Sequence, residues 1–231
     1  MKIDLYGDGI GSVSLVAHVG TDKTVVNSAR VSFGRDNKRD LVERDEKLIN
    51  YLIKHKHTST LEHNVVTLMF EVPLFVRSQH MRHRTWSYNE ISRRYTDVDM
   101  KFYVPQGFRT QHESNRQASK DELIDPIIDN DLPDFTASRL VTAHHRDSLR
   151  LFNRLLSEGV CREQARGVLP QNLYTRYYAS VNLNNLLKFI DLRLHEGAQW
   201  EIQQVAKACL DIATELWPFT VNAYRKHRGE V

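Results

Sequence analysis

The stretch 82–95 limits what this chain can become more than any other. Within fourteen residues it carries four arginines, His83, Glu90, two serines and Asn89, together with Trp86, Tyr88 and Tyr95. The segment before it, 65–76, is mostly apolar and reads as core. A polar block joined directly to a core segment is held against the body of the fold, where a charge without a partner is costly. Four guanidinium groups in one place repel one another, and Glu90 alone does not neutralise them. A phosphate-bearing ligand does, because the planar fork of arginine matches phosphate oxygens. A single-stranded nucleic acid also suits arginines interleaved with aromatic rings. Ser87, Asn89, Glu90 and Ser92 instead resemble hydrogen-bonding specificity for a small molecule, and a nucleic-acid groove gains nothing from Glu90. From these residues alone, both partners stay open.

The rest of the chain sets the context. Its 231 residues with a 41% hydrophobic share fit one domain with an ordinary core. A net charge of +3 permits anionic small-molecule substrates without demanding nucleic acid. The two cysteines, Cys161 and Cys209, form no CxxC pair, which argues for a reducing compartment and against disulfides or structural zinc. The eleven histidines lack HExxH spacing, so no metal site is expected. The first residues carry no apolar leader and no apolar run is long enough to span a bilayer, so a soluble cytoplasmic protein without membrane contact is expected.

Strands are expected at 2–6 and 12–19. The intervening Gly7-Asp8-Gly9-Ile10-Gly11 resembles the start of a dinucleotide fingerprint, but Ser12 replaces the third glycine and 13–17 alternates like a strand, so it reads as a turn. Asp22 is expected to cap a helix over 22–31. A second helix, 39–55, carries the apolar stripe Leu41, Leu48, Ile49, Leu52 and Ile53. A polar turn at 57–63 and a strand at 63–72 follow. Pro73 starts a helix to about residue 84, which makes the arginine block a helix end plus the segment leaving it. A strand is expected at 100–104, and a loop or lid over 105–135, rich in Asp, Asn, Gln and Pro. Helices at 137–159 and 162–168, a strand at 174–181 and helices at 183–194 and 199–216 complete the chain. Without regular βαβ alternation, the fold class is α+β in one domain.

Two further constellations stand out. Arg162 and Arg166 share a helix face beside Glu163, as in an exposed ion-paired helix or, with the adjoining 169–176 turn, a built site. In the 183–194 helix, Leu183, Leu186, Leu187, Ile190 and Leu194 form one stripe, and Arg193 falls at its edge between Leu186 and Phe189. An arginine there needs an anion or a carbonyl. It is either a structural partner for a distant acid or a group aimed into a site.

At this point the residues resemble a known family. Arg82-His83-Arg84-x-x-Ser87-x-Asn89-Glu90-x-Ser92-x-Arg94 matches the signature RHRxxSxNExSxR of the flavin-dependent thymidylate synthases at all eight fixed positions. His57-Thr58-Ser59-Thr60-Leu61-Glu62-His63, Arg162-Glu163-x-Ala165-Arg166 with Leu169-Pro170-x-Asn172, Asp191-Leu192-Arg193 and Ala29-Arg30-Val31-Ser32 are similar to further family segments. The resemblance implies an α+β fold with a twisted, mostly antiparallel sheet flanked by helices. It implies reductive methylation of dUMP to dTMP, with methylene-tetrahydrofolate as carbon donor, FAD reduced by NADPH as hydride source, and no cysteine nucleophile. It also implies a homotetramer with shared active sites.

Carried over by position, His57, Ser59, Arg82, His83, Arg84, Glu90, Asn182, Asn184 and Lys188 resemble flavin contacts. Gln79, Arg82, Glu90, Ser92, Arg93, Arg94, Arg166 and Arg193 resemble the dUMP site. Arg193 matches the catalytic arginine that acts on the uracil imide, where a cation stabilises developing ring charge. Ser92 has no evident base nearby and is assigned to binding. Lys188 stands where relatives often carry His or Asn. The stretch 106–140 carries no family motif and is expected to be a loop-rich insertion or lid.

Overall fold

The computed structural model describes residues 1–34, 39–128 and 135–228. Its main sheet contains β1 (Lys2–Asp4), β2 (Ser12–Val19), β3 (Val65–Pro73), β4 (Ser87–Glu90) and β7 (Tyr174–Asn182), in the order β1-β2-β3-β7-β4. All four pairings are antiparallel. β3 shows why these residues form a strand. Val66, Leu68, Phe70 and Val72 are at most 1% exposed and alternate with half-exposed neighbours, the two-residue period of a sheet with one buried face. β7 pairs with β3 in unbroken register from Val65 opposite Asn182 to Pro73 opposite Tyr174.

The helices are α1 (Asp22–Arg30), α2 (Glu43–Lys54), α3 (Leu74–His80), α4 (Ala137–Ser157), α5 (Arg162–Ala165), α6 (Leu183–Arg193), α7 (Trp200–Leu216) and α8 (Pro218–His227). The apolar faces of α6 and α7, including Phe189, Ile190, Ile202 and Val205, join Phe70 and Tyr177 of the sheet in one core. Among the described residues, no helix is long and apolar enough to cross a membrane.

The α+β class and the two central strands follow the sequence reading. The glycine run is a turn, with Gly7 and Gly9 at φ of 70° and 71° and both Ile10 and Gly11 N–H groups donating to the Asp8 carboxylate at 2.9 Å.

Several expectations are overturned. Asp22 does not cap α1, whose N-cap is Thr21. The buried Asp22 carboxylate instead accepts from the Phe219 and Thr220 N–H groups at 3.0 and 2.9 Å and from the Thr220 hydroxyl at 2.5 Å. It thus caps α8, a helix the sequence reading missed beyond Trp217-Pro218. α2 starts at Glu43 rather than 39, because the fully buried Asp45 accepts from Val42 N–H and pairs with Arg30 and Arg39 at 2.5 and 2.8 Å. α3 stops at His80, and 87–90 pairs with β7 as an edge strand, so the arginine block is not a helix end. The 100–104 strand is only a bridge between Phe102 and Leu173. Within the expected loop, β5 (Phe108–Gln111) and β6 (Ser119–Ile124) form a hairpin; 129–134 lies outside the described residues.

Candidate active site

α6 presents Arg193 at the end of its buried face. Its first turn is anchored by Asn182, whose side chain accepts from the Asn185 N–H at 2.9 Å. Leu183, Leu186, Leu187, Phe189 and Ile190 are buried, which fixes the rotation of the helix and puts Arg193 at the core edge. The Arg193 Nε donates to His83 Nε2 at 3.0 Å, and an Nη donates to the Gln79 carbonyl at 3.0 Å. Among the described residues no carboxylate pairs with Arg193, so the structural ion pair left open by the sequence is not what holds it. Desolvation and the neighbouring Arg82 charge both lower the Arg193 pKa.

His83 accepts from Arg193 and therefore keeps a lone pair on Nε2. Burial and the Arg193 charge hold its pKa down to about 4, so the imidazole is neutral. The turn that carries it is pinned by Tyr88, whose hydroxyl meets the His80 and His83 carbonyls at 3.0 Å each. His80, fully buried, bonds through Nδ1 to the Tyr177 hydroxyl at 2.8 Å. Gln79 is held from its other side by the side chain of Gln199 at the start of α7. Gln79, Arg82, His83 and Arg193 thus form one group in which cationic charge exceeds anionic.

A second group lines a groove of about 460 Å³, bounded by Arg77, Glu90, Ser92, Arg93, Arg166 and Thr175. The Glu90 carboxylate accepts from Arg77 at 2.5 Å and from the Thr175 hydroxyl at 2.7 Å. Among the described residues the exposed Arg166 guanidinium has no hydrogen-bond or ion-pair partner. Ser92 Oγ accepts from the Arg94 N–H at 3.2 Å, and the Arg94 guanidinium reaches Glu163 at 3.2 Å. Arg93 donates to the Val98 carbonyl at 2.7 Å and so shapes its own loop. Arg162 pairs with Asp97 at 2.8 Å, tying that loop to α5.

A third cavity, about 380 Å³, lies between α2, α6 and α8 and has Leu52, Ile53, Leu61 and Leu187 as apolar walls. Its polar lining includes Asn184, Lys188, Thr58, Lys54 and Lys56 together with Asp191 and Arg228, and Asn184 donates to Glu62 at 2.8 Å. His57 and Ser59 are exposed beside it; the His57 ring packs on Tyr51 with centroids 5.8 Å apart. Arg84 is exposed without a side-chain partner among the described residues. The Glu90 groove and the cavity between α2, α6 and α8 have no lining residue in common, and Gln79, Arg82, His83 and Arg193 form a third group that lines neither. Arg77, Thr175 and Gln199 were not foreseen. The one available signal was an arginine inside the otherwise apolar start of α3. Cys209 is buried, which pushes its thiol pKa up, away from nucleophile behaviour.

Comparison with known proteins adds a separate line of observation. The family model described as thymidylate synthase complementing protein matches residues 14–219. A flavin-dependent thymidylate synthase of Thermus thermophilus is 42% identical over 217 residues, 94% of this chain and 76% of the relative. That of Thermotoga neapolitana is 39% identical over 227 residues, 98% of this chain and 95% of the relative. Among solved structures, the UMP/dUMP methylase PolB from Streptomyces cacaoi, bound with 5-Br dUMP, superposes with a TM-score of 0.81 at 33% identity and 97% coverage of both chains.

Proposed function

The chain belongs to the thymidylate synthase complementing protein family, that of the flavin-dependent thymidylate synthases, and from that premise we propose how its residues divide the work of methylating dUMP to dTMP. The observation that carries the reading is Arg193: a guanidinium held by a neutral imidazole and a carbonyl, with its charge left for a ligand. A uracil imide beside it is stabilised as an anion while carbon five becomes nucleophilic, which is electrostatic stabilisation of developing charge by a group already in place. Gln79 and Arg82 flank the base. Arg166, with Arg94 nearby, takes the phosphate through charge-assisted bonds, and Glu90, Ser92 and the Arg93 loop hold the sugar side.

The third cavity suits FAD. Its leucine and isoleucine walls accept an aromatic ring system, and Lys54, Lys56 and Lys188 give a cationic rim for a diphosphate. Asn184 joins them; Asn182 orients α6, and His57, Ser59, His83, Arg84 and Glu90 complete the flavin surroundings. When bound, the flavin supplies the hydride that completes the methyl group. Methylene-tetrahydrofolate is the proposed carbon donor and NADPH the proposed reductant. Because the three groups share no wall within one chain, a homotetramer is proposed to bring them together, with the cytoplasm as its compartment and the whole chain acting as one unit.

The test is tritium release from carbon five of labelled dUMP with FAD, NADPH and methylene-tetrahydrofolate, with UMP in parallel to read the sugar requirement. Release coupled to dTMP formation is expected. Salt-sensitive binding to single-stranded nucleic acid without tritium release would favour the other partner class that suits the arginine block.

A further inference from the structure

We infer that Arg77 and Thr175 are positioning residues for nucleotide recognition, acting by locking the Glu90 carboxylate in the groove. This rests on the reading of that groove as the nucleotide site. The two oxygens of Glu90 are held from two different elements: Oε2 by Arg77 of α3 at 2.5 Å, Oε1 by Thr175 of β7 at 2.7 Å. One donor on each oxygen removes rotation about the terminal carboxylate bond. An ionised carboxylate has about four acceptor sites, so each oxygen retains capacity for a hydroxyl donor of a bound nucleotide.

The environment of Arg77 argues against a purely structural role. Its Nε is buried without any partner, and its side chain is 36% exposed against 20% for Glu90. A buried donor left unpaired opposes folding, and an apolar chain of similar length removes that penalty. All three residues line the same groove as Ser92 and Arg166. The pair therefore stands where it orients an acceptor in the groove.

The experiment compares FAD-loaded wild type with Arg77→Met, Arg77→Lys and Thr175→Val, measuring the dUMP Kd by calorimetry, steady-state kinetics and thermal midpoint. For Arg77→Met, Kd and KM are expected to rise about tenfold with kcat nearly unchanged and the thermal midpoint not lowered. Arg77→Lys should recover part of the affinity, because the charge is kept and the fork is lost. Thr175→Val should weaken binding about threefold, and it tests the same idea if Arg77→Met does not fold. Unchanged Kd in both Arg77→Met and Thr175→Val, beside a wild type that binds dUMP, overturns this inference alone. A lowered midpoint and a kcat loss at constant KM overturn it in favour of a structural role. A wild type that does not bind dUMP removes the site reading itself, and the inference with it.

Discussion

Arg193 shows how much one side chain depends on two neighbours. Its two anchors, His83 Nε2 and the Gln79 carbonyl, lie where a planar fork reaches both and a lysine ammonium does not. Arg193→Ala is expected to lower dTMP formation by at least about 10²-fold with an unchanged circular dichroism spectrum, and Arg193→Lys is not expected to rescue it. Full activity in Arg193→Ala refutes the role. The His83 proton gives a pH test. Its folded pKa is about 4, against 6.5 when unperturbed, so the unfolded chain binds this proton first as pH falls. The associated stability is complete above about 6.5 and is lost progressively toward 4. His80 and His145 shift in the same direction, while Asp22, raised by burial, opposes them. The urea midpoint should therefore drop from pH 7 to pH 5, and by less in His83→Gln; an equal drop in the two proteins excludes His83 as a contributor.

At the scale of elements, α8 is the clearest case of structure supplied from far along the chain. Its first N–H groups have no partner within the helix, and Asp22 of α1 provides one. Asp22→Ala should cost about 2–3 kcal/mol in urea unfolding, combining the loss of a cap with exposure of unpaired donors. A change below about 0.5 kcal/mol would show that water replaces the carboxylate freely. Residues near an element's end were the ones misread. Asp22 looks like the cap of its own helix, but it is buried and bonds to the start of α8 instead. A helix running from Pro73 to about residue 84 makes the arginine block a helix end, but α3 stops at His80 and 87–90 is a strand. Pairing with β7 supplies that strand, and an edge strand needs only one such neighbour.

For the whole molecule, the separation of the three groups makes assembly a measurable question. Lys188→Glu should weaken FAD binding, and Arg193→Ala should block the chemistry. If subunits share sites, mixing the two inactive proteins under conditions of subunit exchange should restore part of the activity. No recovery despite proven exchange would mean that each chain carries a complete site. The apolar cavity beside Lys188 and the Glu90 groove have no lining residue in common.

The sequence by itself determined the class of the fold, two strands placed at 63–72 and 174–181 within two residues of their observed bounds, the buried face of α6 and the family signature, because each is written in local periodicity or in residue order. It also placed Arg193 at the margin of an apolar stripe. Only the tertiary structure decided that Arg193 meets an imidazole and a carbonyl rather than an acid, that Asp22 serves α8, and that Arg77 and Thr175 converge on Glu90. Those outcomes depend on contacts between residues tens to hundreds of positions apart, and a hydrogen bond across such a distance leaves no periodic trace in the chain.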